Sequence, residues 1–154
     1  MPVLFPFGYG LSYTNFAYSE LKLSAETIQD TDSLTVTVKV KNTGARFGKE
    51  IVQLYIHDNQ TQVIRPLKEL KGFEKVALHP GEEKTISFEL NNRAFAYYNT
   101  QNHDWCVQSG TFEILIGQSS RDIILSAPVE VVSSVQPVCK FTLTSTLGDV
   151  MAYE

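Results

Sequence analysis

The chain has 154 residues, with 13 Lys and Arg against 17 Asp and Glu and a net charge of -4. Its length suits one domain, or one domain with a tail. Scattered basic residues on an acidic chain exclude nucleic acid as the main partner, because a phosphate-binding face needs clustered Lys and Arg. No run approaches the roughly 18 apolar residues that a membrane-spanning helix needs, so no membrane partner is expected. Met1 is followed by Pro2-Val-Leu-Phe5 with no basic n-region. No signal peptide is therefore expected, and the N-terminus gives no localisation.

The first stretch, Phe5-Pro-Phe-Gly-Tyr-Gly-Leu-Ser-Tyr-Thr14, has neither a helical nor a strand period. Pro6, Gly8 and Gly10 break regular structure among Phe5, Phe7, Tyr9 and Tyr13. Rings that can each bury about 150 Å² or more are costly to leave in water. They either fold back on the core of the domain or dock against a neighbouring domain.

From Phe16 short strands begin. In Tyr18 to Ser24, Leu21 and Leu23 share one face while Glu20, Lys22 and Ser24 share the other. Gln29 to Asp32 reads as a turn. Leu34 to Lys41 is the clearest element: Leu34, Val36, Val38 and Val40 alternate with Thr35, Thr37, Lys39 and Lys41, the period of a half-buried strand. After a break at Asn42-Thr-Gly44, residues 50–57 are apolar on both faces, which predicts a central strand. Asp58 to Pro66 is a polar loop.

Leu67 to Leu78 reads as a strand, with Gly72 marking a bulge or bend. His79-Pro-Gly-Glu82 places Pro and Gly where a type II turn needs them. Ile86, Phe88 and Leu90 alternate in the next strand. A polar and aromatic stretch, 91–105, predicts a short turn and a short strand. Gly110 to Ile116 and Asp122 to Ser126 are strands joined by the loop 117–121, and residues 129–132 extend the second. These elements predict an all-β fold: an immunoglobulin-like or fibronectin type III-like β-sandwich of about seven strands over 16–132. An irregular segment, 1–15, precedes it, and a linker and tail, 133–154, follow.

Few residues suggest chemistry. His57-Asp58 and His103-Asp104 resemble base or ligand pairs, but neighbouring strand residues point to opposite faces. No nucleophile elbow, phosphate loop or Cys/His metal spacing is present, so no catalytic residue, metal or cofactor is assigned. Glu50, Glu69, Glu74 and Glu89 read as surface or strand-edge charges, with no pair singled out for glycoside cleavage. Cys106 and Cys139 are too few for a disulfide framework, and their pairing stays open. Asn59-Gln60-Thr61 is a formal glycosylation sequon. Tyr97, Tyr98 and Trp105 either cap the core or form a platform on which a sugar ring could stack.

Several ordered blocks together resemble a known family. The Phe5 to Thr14 run is similar to the signature that opens the C-terminal fibronectin type III-like domain of glycoside hydrolase family 3, which includes many β-glucosidases and β-xylosidases. Val40-Lys-Asn-Thr-Gly44, Gly48-Lys-Glu-Ile-Val-Gln-Leu-Tyr-Ile56, Arg65-Pro-Leu-Lys-Glu-Leu-Lys-Gly-Phe-Glu-Lys-Val76, Leu78-His-Pro-Gly-Glu82 and Gly110-Thr-Phe-Glu-Ile-Leu-Ile-Gly117 resemble further blocks. Phe141 to Gly148 resembles extensions of some bacterial members.

The resemblance implies that the nucleophile and the acid/base residue lie in other domains. This chain would then be a non-catalytic support that packs in cis on the catalytic domains of a β-glucosidase-like enzyme. Phe5, Phe7, Tyr9, Leu11 and Tyr13 would form the docking surface. Tyr9 and the loop after Tyr55 would lie nearest the substrate cleft. A carbohydrate-binding module that uses Tyr97, Tyr98 and Trp105 is the alternative.

Overall fold

A computed structural model describes residues 3–59, 65–100 and 103–134. The expected tail beyond Ser134, with Cys139, and residues 60 and 61 of the sequon lie outside the described residues. The strands are β1 (Phe16–Leu23), β2 (Thr27–Gln29), β3 (Leu34–Asn42), β4 (Gly48–Asp58), β5 (Glu69–Leu78), β6 (Glu83–Leu90), β7 (Tyr97–Asn99), β8 (Asp104–Cys106), β9 (Gly110–Gly117) and β10 (Ile123–Val132), with a 3-10 turn at Asn92–Ala94.

Two sheets face each other. One has the order β1-β3-β6 and the other β2-β10-β9-β4-β5, while β7 and β8 form a separate ribbon. All pairings are antiparallel except that of β2 with β10, which is parallel. The seven strands of eight residues or more correspond to those expected from the alternation. β2, only three residues long, shows no period and was not anticipated.

Alternation fixes the core. Leu34, Val36, Val38 and Val40 on β3 are fully buried. Opposite them on β6 stand Leu90, Phe88 and Ile86. The larger sheet contributes Val52, Leu54 and Ile56 from β4, Phe112, Ile114 and Ile116 from β9, and Val129 and Val131 from β10. β4 runs between β5 and β9; on its outer face Ile51 stays exposed, while Gln53 and Tyr55 are buried.

Two bulges set the local geometry. In β1 the register slips between Ser19 and Lys22, with Glu20 at a left-handed φ of 50°. The slip lets Tyr18 and Leu21, of opposite parity, both face inward. In β5 the register slips beside Gly72, where Leu54 pairs Gly72 but Tyr55 pairs Leu70. The His79 to Glu82 turn is type II, with Gly81 at φ +79° and the Glu82 amide donating to the His79 carbonyl at 2.9 Å.

The structure holds two short strands, β7 and β8, where one was expected, and Gln29, read as turn, closes β2; the reading of Glu50 also fails. Glu50 is not a surface charge: it is buried, inward-facing opposite Val76. The β4–β9 ladder begins only at Gln53–Gly117, so β4 has no β9 neighbour beside Glu50. The Tyr18 hydroxyl reaches across from the other sheet and donates to Glu50 Oε1 at 2.8 Å.

Candidate functional site

The irregular segment before β1 is fastened through its backbone and the Thr14 hydroxyl, while Phe5, Phe7, Leu11 and Tyr13 point away. The Phe7 carbonyl accepts from the Ser120 amide at 2.9 Å. The Gly8 carbonyl accepts from Gln53 Nε2 at 3.0 Å. That amide also donates to the Gln118 carbonyl at 2.6 Å, and Gln53 Oε1 accepts from the Tyr55 hydroxyl. Gly8 adopts φ +78°, and a Cβ there would collide with the Gln53 amide, so only glycine allows this approach.

The far end is tied by Thr14, whose hydroxyl donates to Asn42 Oδ1 at 2.7 Å. Asn42 is fully buried. Its Nδ2 donates to the Arg46 and Leu78 carbonyls at 2.8 and 3.0 Å. Between these ties, Phe5, Phe7, Leu11 and Tyr13 are 68%, 67%, 88% and 92% exposed. Tyr9 is partly sheltered, its ring 5.7 Å from that of Phe5.

Glu50 borders the hollow under this segment, together with Gly8, Leu11, Thr14 and Gln53. Burial pushes its carboxyl above the ordinary carboxylate value, against the lowering effect of the Tyr18 hydroxyl. Burial, with Glu50 adding, also pushes the Tyr18 phenol well up.

At the other end of β4 a cleft of about 690 Å³ opens between the start of β5, the end of β6 and the β7–β8 ribbon. Its charged lining is organised around Arg65, which is almost wholly buried and pairs with Glu69 at 2.8 Å and Asp58 at 3.4 Å. Arg65 also donates to the Phe95 carbonyl at 3.2 Å. Lys71 joins Glu69 at 2.8 Å. Burial raises the Glu69 pKa, but Lys71 and Arg65 outweigh it and hold the carboxyl below its ordinary value. Arg65 and Lys71 are thus neutralised in place by Glu69 and Asp58.

Of the three aromatics singled out from sequence, the fold pairs two. Tyr98 and Trp105 stand opposite each other on β7 and β8, their rings 5.5 Å apart and inclined at 66°. Tyr97 pairs with Cys106 and is half-buried, though it also lines the cleft. Arg93, which sequence reading did not single out, lies over the indole with its Cζ 3.4 Å from the ring centroid. Its place one turn before the ribbon was the available signal.

The His pairs do not converge. His57 Nδ1 donates to the Leu67 carbonyl at 2.6 Å, while Asp58 turns to Arg65. His103 is exposed at φ 50°. Among the described residues, no group of three or more His, Cys, Asp or Glu is placed to hold a metal.

The fibronectin type III-like domain family matches residues 50–120, from β4 into the loop after β9. The chain is 58% identical over 149 residues to thermostable β-glucosidase B of Acetivibrio thermocellus, a match covering 97% of this chain and 20% of that protein. The structure of a Bifidobacterium adolescentis GH3 β-glucosidase superposes with a TM-score of 0.79 at 39% identity, over 94% of this chain and 21% of that one. The chain is a fibronectin type III-like domain of the family 3 glycoside hydrolases. A β-glucosidase from Erythrobacter marinus contains a similar domain, with a TM-score of 0.79 at 40% identity, over 84% of this chain and 17% of its own. The fibronectin-like domain thus spans about a fifth or less of the length of these relatives.

Proposed function

We propose that this fibronectin-like domain is the structural support of a β-glucosidase-type enzyme, packing in cis on its catalytic domains and stabilising them. In this reading residues 1–15 form the docking segment, 16–132 the sandwich, and 133–154 a linker and tail. The observation that carries it is the division within the segment. Its carbonyls accept from Gln53, Ser120 and Thr43, yet Phe5, Phe7, Leu11 and Tyr13 are presented outward. Such an apolar patch marks a partner surface.

Magnitudes favour a partner in the same chain. Burying Phe5, Phe7 and Leu11 is worth roughly 5–9 kcal/mol gross. Association of free bodies costs about 4–15 kcal/mol, so the patch barely holds a free partner. A tether removes most of that cost by raising the effective concentration.

The test is a chimera of the Acetivibrio thermocellus β-glucosidase in which this chain replaces the portion that it matches. Changing Phe5, Phe7, Leu11 and Tyr13 together to Ser should lower the thermal midpoint of the whole enzyme by several degrees. The midpoint of the isolated fibronectin-like domain should stay unchanged. An enzyme midpoint indifferent to all four substitutions would overturn the proposal.

A further inference from the structure

We infer that the cleft at the β7–β8 ribbon is a binding site for a single chain of a neutral oligosaccharide. The site is separate from the docking segment and goes beyond the support role. Asp58, beside the cleft, lies five residues along β4 from Gln53, about 17 Å at strand rise. A ligand could thus occupy the cleft while the segment is engaged.

Three observations converge. The volume, about 690 Å³, falls within the roughly 300–1,000 Å³ of small-molecule clefts. The charged groups at its base are already satisfied: Arg65 by two carboxylates and a carbonyl, Lys71 by Glu69. Neither is free to capture an anion. What remains around Tyr98 and Trp105 is a surface of donors and acceptors that includes Glu89, Asn91 and Arg93, the last held over the indole.

Neutral hydroxyls bond to such a surface without displacing its ion pairs. The positively polarised C–H face of a pyranose meets the negative face of an aromatic ring. Arg93 already covers one face of the indole, and the two rings meet at 66°. They make a corner, which fits one sugar chain and cannot lie flat on a crystalline polysaccharide.

Trp105 is the only tryptophan of the chain, so its fluorescence reports this cleft alone. Titration of the full chain with cellotetraose, laminaritetraose or xylotetraose should give a saturable change with at least one of them. Tyr98→Ala should weaken that binding about tenfold. Leu11→Ala, in the docking segment, should leave it unchanged. Amide chemical-shift changes in the unmodified chain should cluster at residues 89–98 and 105, which locates the site without any variant. No response to any of the three sugars up to their solubility, shifts clustered elsewhere, or retention on microcrystalline cellulose would each overturn the assignment.

Discussion

A carboxyl group between two sheets makes stability depend on pH, and Glu50 is that group. Its folded-state pKa is raised, chiefly by burial. Between the ordinary value and the raised one, the unfolded chain has released a proton that the native state keeps. Stability must therefore fall as pH rises through that window and level off above it. Glu50→Gln keeps an acceptor for the Tyr18 hydroxyl while removing the charge. The variant should lose this decline, and its urea midpoint at neutral pH should exceed that of the parent chain. A parallel decline in both proteins would mean that another group carries it. Sequence reading missed Glu50 because a carboxylate in a strand is ordinarily an exposed one. The cue that it was otherwise is the company of Glu50 and Gln53 in a run apolar on both faces.

Strands that alternate were legible, and strands that do not were hidden. The period of two in β3 and β6 translated directly into buried faces. The type II turn followed from Pro80 and Gly81 alone. β2 was invisible because three residues carry no period; its pairing depends on β10, a hundred residues away. Of the candidate aromatic site, the residue types were readable. The corner between Tyr98 and Trp105, and the Arg93 cover, depend on the ribbon register. Two glycines with nearly the same φ separate local from tertiary demands. Around Gly81 no atom lies near a would-be Cβ, so Gly81→Ala should cost about 1 kcal/mol in denaturant unfolding from backbone strain alone. Gly8→Ala adds the collision with Gln53. It should leave the unfolding midpoint of the sandwich nearly unchanged while making the Phe5–Tyr13 segment more susceptible to proteolysis. A segment equally resistant in both variants would mean that Gln53 is not its fastening.

As a whole, the molecule is an asymmetric sandwich, three strands against five, with distinct surfaces at the two ends of β4. One end carries the fastened segment with its outward rings. The other carries the cleft, with its ion pairs closed on themselves. In the two roles proposed above, that separation keeps the docking segment and the sugar cleft from competing.

The outer strands have a consequence of their own. An unpaired strand edge invites fibrous self-assembly, yet among the described residues each outer strand is bulged, charged or short. β1 is bulged at Glu20. β5 is bulged beside Gly72. β6 begins with Glu83 and Lys84. β2 covers only Glu130–Val132 of β10, and the uncovered part holds Pro128, which has no amide to offer. The isolated domain should therefore cluster at high concentration through its rings alone. Those clusters should disperse on dilution and leave thioflavin T dark; bright, seedable fibres would show that the edges are not guarded.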